Sequence, residues 1–460
     1  MRIELLHHDS SNRRLILIFG GWSTAAPLYR HIVRKGWDTA LVTDYSDLDF
    51  DRQAIAGYDT IYLYAWSMGV WGASSVLENA DITMAFAVNG TPFPADDARG
   101  IPVGIFQGTA ERLDERNLLK FRKRILGSSD ASMLSLISQG SASVAELKEE
   151  LGAILRMSPS IKSDSIRWRR AYIGNDDRIF PAENQVNAWN EISARAGTDI
   201  FRFDAPHYID LKTIVDSTIP DMEKVGRRFA ESLDTYDSAA DAQTIIADRL
   251  SQRIDSMHLP SGARILEIGQ GSGLLTRRYA PLLSPASIEF IDLYQMSPFG
   301  LAPHEIYHLG DAEVLLDDLG GEFDLILSGS TIQWFRNIPR FFCQAASLLA
   351  PTGRLVCSTF LPGTLDVLDA FRPSPMLYLP EDELKGYALR SFENVATEEE
   401  TITLEFDSAK AALHHLRRTG VGGAFGRFGS LRQLISSLEK QGRPVKLRFN
   451  ALYLVASSPK

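Results

Sequence analysis

Short β-branched and aromatic runs, separated by longer stretches with helical spacing of apolar positions, recur along the whole chain. This rhythm builds parallel strands covered by helices, so an α/β class is expected throughout. In the first half the predicted strands are Leu15 to Phe19, Thr39 to Thr43, Ile61 to Ala65, Met84 to Asn89, Val103 to Gln107, Trp168 to Ile173 and Ile200 to Phe203. Between Glu111 and Arg167 the rhythm stops and consecutive helices are expected, which predicts a helical cap over about 111–167. A second series begins after Asp234, with strands near Arg264 to Ile268, Ile288 to Asp292, Phe323 to Ser328, Arg354 to Thr359, Thr401 to Phe406 and Arg448 to Val455. No Pro/Gly/Ser-rich linker divides the two series, and the boundary is expected near Leu233 to Tyr236, giving domains 1–233 and 234–460.

Length agrees with this division, since 460 residues is about two to three domains. A net charge of -10 speaks against a whole-chain nucleic-acid or anionic-membrane binder, because both need a basic surface. The two cysteines, Cys343 and Cys357, form no CxxC pair, and the first residues hold no apolar run of signal-peptide length. A soluble cytoplasmic protein is therefore expected. No metal is expected either: adjacent His414 and His415 cannot both chelate from one helix face, and no HExxH occurs.

The strongest local chemistry in the first half is Tyr64-Ala65-Trp66-Ser67-Met68-Gly69, set between a hydrophobic run and a helix-compatible one. A nucleophile elbow turns so sharply that positions two before and two after the serine must be small, and Ala65 and Gly69 meet that need. The competing reading is a serine capping an ordinary helix. A serine hydroxyl needs a base and an acid that orients the base, in chain order Ser, Asp or Glu, His for this fold. Gly174-Asn175-Asp176-Asp177-Arg178-Ile179-Phe180-Pro181 offers the acid, with Asp177 preferred and Asp176 the runner-up. His207 is the single histidine between Asp177 and the proposed boundary. For the oxyanion donors the candidates are the backbone N–H of Met68 and, after the strand ending Phe19-Gly20-Gly21, that of Trp22; a plain Gly-Gly turn is the alternative there.

The motifs Phe19-Gly20-Gly21-Trp22, Trp66-Ser67-Met68-Gly69, Gly174 to Pro181 and Pro206-His207-Tyr208 make about the first 220 residues resemble the BioG-type carboxylesterases. The resemblance implies an α/β-hydrolase domain that cleaves the methyl ester of pimeloyl-acyl carrier protein.

In the second half, Arg264-Ile265-Leu266-Glu267-Ile268-Gly269-Gln270-Gly271-Ser272-Gly273 puts an acid on a strand and glycines at alternate positions of the following loop. The G-x-G-x-G spacing with Glu267 two residues upstream favours a Rossmann-like class I S-adenosylmethionine-dependent methyltransferase over a dinucleotide site. The expected cofactor contacts are Glu267 and the backbone at Gly269, Gly271 and Gly273, Asp292 toward the ribose hydroxyls, and Asp311 toward the adenine amino group. Taken singly, Asp292 and Asp311 also suit helix caps or solvated loops.

Tyr236-Asp237, this glycine loop, Gly310-Asp311-Ala312-Glu313, Ser330 to Phe335, Leu348 to Leu355 and Leu416 to Gly420 make the second half similar to the BioC-type malonyl-acyl carrier protein O-methyltransferases. Together the two resemblances imply a bifunctional enzyme making the pimelate part of biotin, with acyl carrier protein as partner. A malonyl carboxylate is ionised at neutral pH, so no catalytic base is named. Gln333, Trp334 and Tyr236 are weighed as pocket residues against ordinary core or rim positions. The acid-free run Arg116, Lys120, Arg122, Lys123 and Arg124 is set between a carrier-docking patch and a solvated helix face. Two other readings stay open: a carboxyl methyltransferase and methylesterase pair acting on another protein or metabolite, and a methyltransferase joined to a hydrolase-like binding domain without catalysis.

Overall fold

The structure is a computed structural model and describes residues 1–158, 165–294, 298–371, 377–419, 431–440 and 442–460. Gly420, last of the Leu416 to Gly420 stretch, lies outside the described residues. The chain divides into two compact units, Met1–Val215 and Asp216–Lys460.

The first unit is built on strands β1 (Arg2–His7), β2 (Arg14–Phe19), β3 (Asp38–Thr43), β4 (Thr60–Trp66), β5 (Met84–Val88), β6 (Arg170–Gly174) and β7 (Asp199–Phe203). They form one sheet in the order β1-β3-β2-β4-β5-β6-β7, antiparallel only between β1 and β3. The central strands are continuous apolar runs, all of β4 being buried, as a sheet covered on both faces requires. Helix α1 (Met68–Val76) follows β4, and α2 (Val103–Glu111), α3 (Glu115–Leu126), α4 (Ala131–Ser138) and α5 (Val144–Met157) are inserted between β5 and β6. Helices α6 (Ala182–Ala196) and α7 (Leu211–Thr218) complete the fold around β7.

One expected strand is corrected: Val103 to Gln107 is the first part of α2, and of that helix only Phe106 is buried. A five-residue apolar run is compatible with either element, and Pro102 at the N-cap starts the helix here. The amphipathic edge strand β1 was not expected.

The second unit opens with α8 (Met222–Tyr236) and α9 (Asp241–Asp255). Its strands are β8 (Arg264–Ile268), β9 (Ser287–Asp292), β10 (His304–Leu309), β11 (Phe323–Ser328), β12 (Leu349–Phe360), β13 (Phe392–Phe406) and β14 (Val445–Pro459). Their order is β10-β9-β8-β11-β12-β14-β13, parallel from β10 to β12, with β14 antiparallel to both neighbours. Helix α10 (Thr276–Leu283) leaves the glycine loop after β8, and the short α11 (Ala312–Leu315) follows β10. The expected boundary near Leu233 to Tyr236 falls inside α8. That helix sets Met222, Val225, Phe229, Leu233 and Tyr236 along one stripe lining a cavity of the second unit, which is why it belongs there.

Candidate active sites

In the first unit Ser67 stands between the buried end of β4 and the start of α1 with φ 60° and ψ −124°, a backbone conformation that a non-glycine residue holds only when its surroundings impose it. The surroundings do so by close packing. A Cβ on Gly69 would lie 2.2 Å from the Phe19 carbonyl oxygen, and one on Gly90 would lie 2.3 Å from that of Ser67 itself. The sequence requirement for small residues at the elbow is thus a steric one.

His207 Nε2 lies 2.8 Å from Ser67 Oγ, and His207 Nδ1 lies 2.8 Å from Asp177 Oδ2. Asp177 Oδ1 accepts from the backbone N–H groups of Ile179 and Phe180 at 2.8 and 3.0 Å. Its Oδ2 accepts from Gln185 Nε2 at 2.9 Å. With four N–H groups around one carboxylate, Nδ1–H of His207 is the donor to Asp177 and Nε2 is left to accept from the serine. Asp177 is buried, whereas Asp176 is exposed and uses its backbone N–H on Ala205, so the structure brings Asp177 and not Asp176 to the histidine. The His207 carbonyl accepts from Trp66 Nε1 at 2.9 Å and Asn89 Nδ2 at 2.8 Å, and the Phe180 ring stacks on the imidazole at 6.0 Å. Asn89 ends β5 with φ 46° and also accepts from Gly174 N–H at 2.7 Å, joining the histidine loop to the strand that carries the acid.

Ser67 opens on a cavity of about 480 Å³ lined by Trp22, Met68, Ile101, Ile105, Phe106, Phe121, Leu151 and Ile179, with Arg124 and Arg178 among the walls. Trp22 and Met68, the two expected oxyanion residues, therefore share a cavity with the serine. Helices α2, α3 and α5 supply half of the apolar wall, through Ile105, Phe106, Phe121 and Leu151. Of the basic run on α3, Arg116, Lys120, Lys123 and Arg124 are exposed and only Arg122 is turned inward. Arg122 donates to Ser138 Oγ at 3.0 Å and Ser141 Oγ at 2.8 Å; Arg124 also lines the cavity. Glu150 of α5 is buried against the loop after β3, accepting from Tyr45 N–H at 2.9 Å, and burial pushes its carboxyl up to about 7.

In the second unit the carboxyl ends of β8, β9 and β10 meet at a cavity of about 790 Å³ lined by Gly269, Gly271, Asp292, Tyr294, Asp311 and Trp334, with the α8 stripe opposite. Gly269, Gly271 and Gly273 all have φ between 56° and 80°. A Cβ on Gly269 would strike Thr331 Oγ1 at 2.2 Å and one on Gly273 would strike Phe299 at 2.4 Å, but among the described residues one on Gly271 would meet only the Tyr294 hydroxyl at 3.7 Å. Gly271 alone of the three therefore faces open space on the cavity side.

Glu267 is buried and ties the end of β8 to α10, its Oε2 accepting from Thr276 Oγ1 and Tyr279 OH, both at 2.8 Å. Burial raises it to about 7. It lines an adjoining cavity of about 440 Å³ together with Gln243, Gln270 and Gly271, where Gln243 Oε1 and Gln270 Oε1 are buried acceptors without a hydrogen-bond donor among the described residues. Asp292 accepts from Gly271 N–H at 2.9 Å and Leu293 N–H at 2.7 Å, and burial raises it to about 6. Asp311 caps α11 through Glu313 N–H at 3.2 Å and is ion-paired with Arg336. Tyr236 and Trp334 line the larger cavity; Gln333 donates to the Ser330 carbonyl at 2.6 Å. Among the described residues no group of three or more His, Cys, Asp or Glu side chains is placed to hold a metal, and no helix is long and apolar enough to cross a membrane.

Sequence reasoning missed Asn89, Gln185, Tyr294, Gln243 and Arg336. Only Asn89 left a trace, a polar residue ending an apolar run before Gly90-Thr91-Pro92.

Comparison with known proteins matches residues 1–214 to the family model "Pimeloyl-ACP methyl esterase BioG" and residues 239–403 to "Methyltransferase domain". A malonyl-[acyl-carrier protein] O-methyltransferase of Bacteroides fragilis is 32% identical over 96% of this chain and 93% of its own length. One from Porphyromonas gingivalis is 31% identical over 44% of this chain and 78% of its own. The crystal structure of BioG from Haemophilus influenzae aligns with 46% of this chain and 95% of its own, at 36% identity and a TM-score of 0.41.

Proposed function

Since the chain belongs to the family of malonyl-[acyl-carrier protein] O-methyltransferases, with a BioG domain in front of its methyltransferase domain, we propose that it carries out both carboxyl chemistries of biotin synthesis. The second unit methylates the free carboxyl of malonyl-acyl carrier protein. The first hydrolyses pimeloyl-acyl carrier protein methyl ester to the free acid and methanol. Both reactions belong to the cytoplasm.

The observation that carries the esterase half is the unbroken Ser67–His207–Asp177 chain of hydrogen bonds at 2.8 Å each. An α/β-hydrolase reading of the domain is supported by the parallel sheet with its antiparallel β1 edge and by the strained serine between β4 and α1. In this mechanism Ser67 Oγ attacks the ester carbonyl while His207 Nε2 takes its proton, and Asp177 holds the imidazolium. The Met68 and Trp22 N–H groups stabilise the oxyanion. As the ester C–O bond breaks, His207 gives its proton to the departing methoxide, which leaves as methanol; a water deprotonated by the same nitrogen then attacks the acyl-serine, and return of that proton to Ser67 Oγ releases the acid. The apolar wall of the cavity suits the methylene chain of a pimeloyl unit.

S-adenosyl-L-methionine is the cofactor of the methyltransferase domain. The residues present fit it. Gly271 leaves room for a ligand against the backbone, and the donor-less carbonyls of Gln243 and Gln270 suit an ammonium group. Asp292 would accept from ribose hydroxyls and Asp311 from the adenine amino group. When bound, the cofactor supplies a methyl on a sulfonium; the chain has to bind it, align a malonyl carboxylate and exclude water. Incubation with malonyl-acyl carrier protein and S-adenosylmethionine tests this half by mass, with a gain of one methyl expected and an unchanged mass refuting it. Ser67→Ala should abolish release of acid from the pimeloyl methyl ester while leaving that methyl gain unaltered, and surviving hydrolysis would overturn the assignment of the serine.

A further inference from the structure

Asp311 meets the cofactor cavity with its carboxylate already engaged. Behind it lies Arg336, of which only 4% is exposed, bridging two acids: the guanidinium donates to Asp311 Oδ2 through one terminal nitrogen and to Glu313 Oε2 through Nε. Glu313, equally buried, also accepts from the backbone N–H of Arg336 at 3.0 Å and of Asn337 at 2.7 Å. Asp311 and Glu313 both line the cavity, while Arg336 does not. The arginine follows Trp334 and Phe335, which form another part of the same wall. One buried cation thus ties the segment after β10 to the segment after β11.

A planar guanidinium can bind two carboxylates at once with its N–H vectors fixed, which an ammonium cannot do. A carboxylate offers about four lone-pair sites, and Asp311 lines the cavity while Arg336 holds one of its oxygens from outside the lining.

We propose that Arg336 is the positioning residue of the purine subsite: its planar guanidinium holds the Asp311 carboxylate in one orientation, so that Asp311 accepts from a purine amino group and rejects a purine carbonyl. The inference rests on the assignment of Asp311 to adenine made above. The selectivity follows from charge. An exocyclic amine donates to the fixed carboxylate, whereas a carbonyl at the same carbon would set oxygen against oxygen. A hydrogen bond to a charged group corresponds to about ten- to a hundredfold in affinity.

The test compares binding of S-adenosylhomocysteine with that of its inosine analogue by calorimetry, in the full chain and in Arg336→Lys. The intact chain should prefer the adenosine ligand by at least about tenfold, and the variant should bring the ratio to within about threefold of unity. If the intact chain shows no preference, the assignment of Asp311 is wrong. If the intact chain discriminates and the folded variant discriminates equally, even with weaker binding of both ligands, then Arg336 is only structural and the proposal fails. Should the lysine variant not fold, Arg336→Gln, which keeps one donor without the charge, carries the same comparison.

Discussion

Asp177→Asn probes the proposed esterase site through the direction of one proton. Each oxygen of Asp177 receives two N–H groups: Oδ1 from the Ile179 and Phe180 amides, Oδ2 from Gln185 and His207. The backbone pair cannot turn away, so asparagine must present its carbonyl there and its NH2 toward Gln185 and His207. Facing a donor, the imidazole has to offer the Nδ1 lone pair, which moves its proton to Nε2. That nitrogen lies 2.8 Å from Ser67 Oγ and then donates where it should accept. Loss of the base in this way costs about 1,000- to 10,000-fold in kcat, or about 4 to 5.5 kcal/mol of transition-state stabilisation. The donor–donor encounter with Gln185 costs folding about 1 to 3 kcal/mol, so thermal unfolding is measured alongside the kinetics. The assay is kcat/KM on carrier-bound pimeloyl methyl ester, with Asp176→Asn as the control expected to be unchanged. A folded Asp177→Asn protein within about tenfold of the unaltered rate, or one in which nitrogen NMR finds the His207 proton still on Nδ1, would refute the reasoning.

The glycine loop should separate two kinds of damage. Gly271→Ala should cost folding only the roughly 1–2 kcal/mol of a left-handed alanine while sharply weakening cofactor binding by calorimetry, whereas Gly269→Ala should lower the unfolding temperature of the second unit much further. For Glu150, burial raises the folded-state carboxyl from 4.5 to about 7, so the folded form holds its proton longer than the unfolded one. The first unit should therefore lose stability as pH rises from about 4.5 to 7. Glu150→Gln, which keeps an acceptor for Tyr45 N–H, should flatten that dependence in calorimetric scans, and an unchanged slope would show that Glu150 does not cause it. Finally, the apolar cavity beside Ser67 should favour pimeloyl over malonyl methyl ester by about a hundredfold in kcat/KM, since each buried methylene is worth about 0.8 kcal/mol; comparable values for the two esters on one carrier would refute a chain-length ruler.

What the sequence made legible depended on how local each constraint is. The Ser67 elbow could be read because its steric demand falls on Ala65 and Gly69, two positions away in sequence. The acid could be narrowed only to neighbouring aspartates, since choosing Asp177 requires knowing that its side chain turns inward while that of Asp176 faces water. Strands β2 and β4 announce themselves as buried apolar runs, but the edge strands Arg2–His7 and His304–Leu309 are half-exposed throughout and mix charge with apolar residues. Val103 to Gln107 has the length and apolarity of a strand and forms a helix, because so short a run carries no decisive period. Arg336 left no signal at all, its partners Asp311 and Glu313 lying more than twenty positions away.

The stripe along α8 bears on where this polypeptide can be cut. A separately produced methyltransferase starting at residue 234 would lack Met222, Val225, Phe229 and Leu233, all of the α8 stripe but Tyr236, and would leave the cavity proposed for the cofactor as an open trough. Severing before Asp221, whose side chain caps the helix through Lys224 N–H, keeps the whole stripe. The seam between the two units is therefore not a dispensable tether: the segment that the sequence assigns to the tail of the first unit lines a cavity of the second, and any rearrangement that splits or rejoins them has to respect that ownership.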